Sequence, residues 1–236
     1  MRVVVQRGSW EAGKRVSLDA SEVHHLKVRR ARDGERVEIL DGEGLLGSGT
    51  LVQTGLEWLV EVDSVQRTMR PPETTLAVAG GDRDRFSWMV EKSVELGVTR
   101  IVPLETARTA GVSTRLKEGH LARLRRSALE AIKQSGVTWV PSIESPLALE
   151  QLLREQRPAA AWLASSEGEP APASLGQGAV TVLVGPEGGL NPDEIAAATA
   201  AGFQPIALGL HTLRFETAAL AAAAVIAQAR LRGQHG

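Results

Sequence analysis

The sequence predicts an α/β protein in two parts, a small β-rich N-terminal domain followed by a larger domain of alternating strands and helices. Two observations carry this expectation. Up to about Val65, short β-branched runs recur between glycine-bearing turns, as in a small barrel. From Thr74 onward, apolar strands alternate with amphipathic helices, which implies a parallel sheet covered on both faces.

In the first part, Val3-Val4-Val5, Val16-Ser17-Leu18, Arg36 to Leu40, Leu51-Val52-Gln53 and Trp58 to Val62 read as strands, and Ser21 to His25 as a helical turn capped by Ser21. Met69-Arg70-Pro71-Pro72-Glu73 is a natural linker, because paired prolines neither continue a helix nor enter a sheet interior. The expected domains are therefore residues 1–68 and 73–236. In the second, Thr75 to Ala79, Arg100 to Leu104, Trp139-Val140-Pro141, Ala160 to Ala164, Ala179 to Val184 and Pro205 to Leu208 read as strands. Helices are expected over Asp84 to Leu96, Gly119 to Gln134, Leu147 to Glu155, from Asn191-Pro192 onward, and over Glu216 to Arg232.

The 236 residues are 43% hydrophobic, enough for a core. No apolar run reaches bilayer length, and the first residues lack a stretch of signal-peptide type, so a cytoplasmic protein with no membrane partner is expected. The absence of cysteine excludes thiol nucleophiles and cysteine-ligated metals. The five histidines show no metal-ligand spacing, so no metal site is expected. A net charge of -1 argues against a uniformly basic nucleic-acid surface and leaves any RNA contact to local clusters. The best cluster is Lys27, Arg29, Arg30 and Arg32, which is either a phosphate grip or a solvated turn beside Asp33 and Glu35.

Three glycine motifs stand out. Gly42-Glu43-Gly44-Leu45-Leu46-Gly47 fits a dinucleotide fingerprint, but a strand-like run follows where that fingerprint needs a helix, so a hairpin turn is expected. Gly185-Pro186-Glu187-Gly188-Gly189-Leu190 lies between a buried strand and a capped helix, at a strand end where open α/β sheets bind ligands. Leu208-Gly209 to Leu213-Arg214-Phe215-Glu216-Thr217-Ala218 repeats the strand–loop–helix arrangement. Two such strand ends favour a shared pocket over separate turns, with Arg214 read either as a cation beside it or as a surface arginine. No lysine accompanies the glycines, so this is not a P-loop.

These segments, together with Glu91 to Val98, Ile101-Val102-Pro103-Leu104, Glu130-Ala131-Ile132-Lys133-Gln134-Ser135-Gly136, His25-Leu26 through Arg29-Arg30, and Asp41-Gly42, resemble the RsmE family of SPOUT RNA methyltransferases in order along nearly the whole chain. The resemblance implies a C-terminal trefoil knot preceded by a PUA-like β-barrel, a homodimer, and methylation of N3 of a uridine in 16S ribosomal RNA of the small subunit by S-adenosylmethionine. It places the cofactor on Leu163, Gly185, Pro186, Glu187, Gly188, Gly189, Leu208, Gly209, Leu213, Thr217 and Ala218. It implies RNA binding through Lys27, Arg29, Arg30 and Arg32, and an electrostatic role for Arg214 toward the uridine anion. The base is left among Glu130, Glu187 and Glu216. The chain departs from the family at Leu210-His211-Thr212 and at Phe215. On residues alone, a non-catalytic RNA-binding module and an enzyme for another nucleotide remain as rival readings.

Overall fold

The computed structural model describes residues 1–5, 10–109, 116, 118–155 and 158–234. The chain divides into two compact units, Met1–Arg70 with Leu129–Val140, and Pro71–Ala128 with Pro141–Gly236.

The first unit contains β1 (Arg2–Val4), β2 (Arg15–Ser17), α1 (Ala20–Val28), β3 (Arg36–Leu40), β4 (Leu45–Thr54) and β5 (Glu57–Arg67), with the strands ordered β1-β3-β4-β5-β2. Val3, Leu26, Ile39, Leu51, Trp58 and Val60 form its core. The period-2 alternation of β3 and β5 puts these side chains inward, as their sequences predict. The glycines after β3 make a turn: Gly42 and Gly44 have positive φ, and the Asp41 carboxylate accepts from the amides of Glu43 and Leu45. Gly47 then lies inside β4, opposite Ile39 and Val65, so a strand follows the glycines and no helix is present to hold a pyrophosphate.

Helix α1 is longer than the expected turn, and its cap is Asp19 rather than Ser21. The Asp19 carboxylate accepts from the Glu22 amide at 2.8 Å, while Ser21 is already inside the helix. At the other end the Ala31 amide donates to the Leu26 carbonyl and the Arg30 amide to the Lys27 carbonyl, with Arg30 in the left-handed region at φ 55°. This is a Schellman closure with arginine where glycine is usual.

The segment Leu129–Val140 belongs to the first unit for side-chain reasons. The ring of Trp139 lies over Gly44 so closely that a Cβ there would meet it at 2.4 Å, and its indole N–H donates to Thr68. Arg2 donates to the carbonyls of Lys133 and Gln134, and Lys133 reaches Glu22. The strand expected at Trp139-Val140-Pro141 is instead one bridge between Trp139 and Glu43.

The second unit contains β6 (Thr74–Val78), α2 (Arg83–Glu95), β7 (Arg100–Glu105), β8 (Ser142–Ile143), β9 (Leu147–Ala148), α4 (Leu149–Leu152), β10 (Ala160–Pro170), β11 (Val180–Val184), α5 (Pro192–Ala200), β12 (Gln204–Ala207) and α6 (Phe215–Gln234); helix α3 (Glu118–Ser135) begins in it. All its strand pairs are parallel, in the order β12-β10-β11-β6-β7-β8, with β9 also on β7. The central strands β6 and β11 are buried at every residue, which is why they read as unbroken apolar or β-branched runs. The helix expected over Leu147 to Glu155 shrinks to four residues because Leu147 and Ala148 pair with Leu104 and Glu105; sheet pairing overrides helix propensity there. Asn191 caps α5 in a box with Glu194 and with Pro192 in the first turn, as the sequence predicts. Near the end of α6 the buried Arg230 donates to the carbonyls of Pro72, Glu73 and Gly178 and to the Thr74 hydroxyl, tying the helix to the sheet's entry.

His120, buried in the first turns of α3, gives the second unit a pH dependence. Burial holds its pKa below the ordinary histidine value, helped by the cations Arg83 and Arg123 and opposed by Asp84. The unfolded chain takes up this proton near pH ~6.5 and the folded chain only at lower pH. The neutral imidazole's contribution is therefore complete above about pH 6.5 and is lost as pH falls from there through the lower folded-state value. A His120→Phe variant is expected to show a flatter urea-midpoint profile between about pH 7 and pH 5; a profile parallel to the parent would refute the assignment.

Candidate functional site

The carboxyl ends of β10, β11 and β12 and the start of α6 enclose a cavity of about 430 Å³. Its position at the strand ends of a parallel sheet is where such folds bind ligands.

The β11 loop supplies Gly185, Pro186, Glu187 and Gly189 to the wall. The Gly189 amide donates to the Pro186 carbonyl at 2.8 Å, closing a tight turn, and Gly189 has φ 71°. That left-handed backbone is the reason for glycine there. Gly188 is exposed at the turn and does not line the cavity; its Cα faces Arg108, whose Cδ would lie 3.3 Å from an added Cβ. The β12 loop supplies Gly209 and Leu213, while Leu208 stands half-buried outside the wall. From α6 come Phe215 and Ala218; Thr217 is exposed and points elsewhere. Leu163, buried at the end of the regular part of β10, completes the expected set.

Other lining residues carried no signal in the sequence. Ala164 and Glu169 both pair with Ile206, so the intervening residues loop out of register, and Ser165, Ser166 and Glu167 of that bulge face the cavity. Gly168 permits this, since a Cβ there would meet the Ile206 amide at 2.4 Å. The unusual loop also takes part: His211 and Thr212 line the wall. Phe215 is stacked on Phe86 at 6.4 Å and lies over Gly80, where a Cβ would clash with its ring at 2.6 Å.

The turn Thr106 to Thr109 after β7 is a second such component. Arg108 donates to the Gly189 carbonyl at 3.2 Å, and the Ala107 amide donates to Glu194, the capping residue of α5. The turn thus latches the C-terminal end of the Gly185–Leu190 loop and the start of α5. Nothing near Arg108 in the chain announces this, because its partner is on another strand end.

Arg214 is exposed immediately before α6, where its carbonyl accepts from the Ala218 amide. Of the three carboxylates considered as base, Glu187 lines the cavity. Glu216 is buried, 3.8 Å from Arg85, with Oε2 lacking a hydrogen-bond partner among the described residues. Glu130 belongs to the first unit and pairs with Lys133 and His25. Lys27, Arg29, Arg30 and Arg32 are all exposed at the C-terminal end of α1 and the following turn, where the helix's carbonyl end favours cations.

The cavity's chemistry narrows its ligand. Leu163, Val184, Leu190 and Leu213 give apolar walls, the glycine loops bring backbone to the lining, and the acids Glu167 and Glu187 stand there with no lysine or arginine among the described lining residues. A phosphorylated nucleotide is poorly served by such a lining; an uncharged base and sugar carrying a cationic group fit it.

The chain is similar to known proteins along most of its length. Residues 68–227 match the family described as RNA methyltransferase domain, and residues 18–62 match the RNA methyltransferase PUA domain. Ribosomal RNA small subunit methyltransferase E of Synechocystis sp. is 32% identical over 222 residues, covering 89% of this chain and 72% of the relative. The enzyme of the same name from Mycobacterium tuberculosis is 30% identical, covering 90% and 86%. Among solved structures, ribosomal RNA small subunit methyltransferase E from Neisseria gonorrhoeae bound to S-adenosyl methionine superposes with a TM-score of 0.80, at 29% identity and over 94% of each chain.

Proposed function

The chain belongs to the RsmE family of RNA methyltransferases, and we propose that it transfers the methyl group of S-adenosylmethionine to N3 of a uridine in 16S ribosomal RNA of the small subunit. The observation that carries this reading is the single cavity lined by the Gly185–Gly189 loop, Gly209 and Leu213, and the start of α6.

S-adenosylmethionine supplies an electrophilic methyl on a sulfonium. The apolar walls accept its adenosine, the loop amides and carbonyls orient it, and Glu167 and Glu187 favour its positive charge. Uridine N3 must lose its proton before it attacks the methyl, and the resulting charge spreads onto O2 and O4. Of the candidate bases, Glu187 is the one on the cavity wall, and it takes the N3 proton. Arg214, at the cavity's approach, stabilises the uridine anion. Most of the rate comes from holding the two reactants in line, which the latched loop provides. Lys27, Arg29, Arg30 and Arg32 grip RNA phosphates.

The finer features of the family belong to this reading. The return of α6 from the edge strand β12 to pack on α2, β6 and β11 supports a trefoil knot at this end. The PUA domain match supports a barrel in the first unit, and the change of unit at Arg70 supports the boundary between domains of 1–68 and 73–236, although Leu129–Val140 groups with the first unit. Leu210, 97% exposed beside the cavity, supports a homodimer whose partner covers that loop. We place the reaction in the cytoplasm, with no metal.

The test is methylation of small-subunit RNA with labelled S-adenosylmethionine, followed by nuclease digestion and mass identification of the product. N3-methyluridine is expected; a methyl on another atom overturns the reading. Arg214→Ala is expected to lower kcat by ~10²–10³-fold with cofactor affinity retained, measured by steady-state kinetics and calorimetry; an unchanged kcat removes Arg214 from the mechanism.

A further inference from the structure

Two of the family-like segments play no part in the methyl-transfer cavity: His25 through Arg29, and Glu130 through Gln134. Distant in sequence, they meet in the first unit, around a second cavity of about 380 Å³. That volume is within the range of small-ligand sites, roughly 300–1,000 Å³.

Its walls are built. Lys133, 8% exposed, pairs with Glu22 at 2.7 Å and with Glu130 at 2.6 Å. Arg2 pairs with Glu38 and donates to the carbonyls at the end of α3. The lining charges therefore largely neutralise each other, which disfavours a free anion or a metal ion. What remains is a polar box offering donors and acceptors together. His25, 3.6 Å from Glu130, and Arg29, which has no ion pair among the described residues, give it two flat side chains exposed to solvent.

Flat faces of histidine and arginine, beside carboxylate and amide groups, are what an unstacked nucleobase requires. Lys27, Arg30 and Arg32 lie next to Arg29 along the chain, exposed, where the phosphates on either side of such a base would pass. We propose that this cavity holds one unstacked base of single-stranded RNA, stacked on His25 and Arg29 and read along its edge by Glu130 and Gln134. The inference rests on the RNA-substrate reading above and adds to it a site of base recognition, where backbone attraction alone was assigned.

The test uses the full-length protein and two labelled probes: a mixed-sequence single-stranded oligoribonucleotide, and an abasic oligomer with the same number of phosphates. The wild type is expected to prefer the base-bearing probe by roughly tenfold or more in fluorescence anisotropy. His25→Ala and Arg29→Lys are expected to lose that preference. Arg29→Lys keeps the charge and so keeps the salt dependence of binding, which separates stacking from phosphate attraction. Calorimetric S-adenosylmethionine binding, a property of the other unit, should be unchanged in both variants, and an unaltered urea unfolding transition reports that the first unit is folded. A wild type that binds both probes alike, or variants that retain its preference, overturns the proposal. Absence of cofactor binding in the wild type would instead strike the methyltransferase reading, leaving the base preference to be judged by the anisotropy alone.

Discussion

Replacing Gly189 with valine is expected to lower S-adenosylmethionine affinity by ~100-fold or more while the protein stays folded. Gly189 holds φ 71°, its amide closes the turn onto the Pro186 carbonyl, and its own carbonyl accepts from Arg108. A β-branched residue is strained in that backbone region by at least about 1–2 kcal/mol, and relief requires the peptide to rotate. Rotation breaks both hydrogen bonds and moves a backbone segment that lines the cavity. Gly188, its neighbour in the loop, is a milder target: an added Cβ meets only the flexible side chain of Arg108, at 3.3 Å. Calorimetry of Gly189→Val beside Gly188→Ala checks this. Retained binding in the valine variant would remove the loop from the cofactor site.

Lys133→Met is expected to cost about 3–5 kcal/mol of stability, the largest single loss in the first unit. Glu22 is 4% exposed and its carboxylate is met by Lys133 at 2.7 Å. Deleting the ammonium leaves that buried carboxylate without its close ion-pair partner. The double variant Glu22→Leu/Lys133→Met removes both charges and should recover most of the loss, since a buried pair contributes little net stability compared with well-packed apolar residues. Urea unfolding of both variants beside the parent decides it. Equal losses in the single and double variants would show that packing, not the unpaired charge, is responsible.

Many elements were legible because their signals are short-range. Asn191, Pro192 and Glu194 announce the start of α5, and the buried strand Val180–Val184 followed by Gly185-Pro186 announces a strand end carrying a backbone-lined loop. Where two local signals competed, sequence reading erred. Ser21 and Asp19 are both good caps, and only the path of the chain into α1 selects Asp19. Leu147 to Glu155 has helical spacing, yet its first residues are drawn into the sheet by β7.

The sequence by itself determined the strand and helix sequence, the glycine loops and the family they mark, since periodicity, capping and backbone freedom act over a few residues. Only the tertiary structure decided which of these loops share a cavity, that Arg108 latches the Gly189 carbonyl, that Ser165 to Glu167 bulge into the wall, and that Glu130 to Gln134 join His25 and Arg29 in the first unit. Each of those is a contact between residues far apart in the chain, fixed by shape and charge at the point of meeting, and such a contact leaves no spacing in the sequence to read.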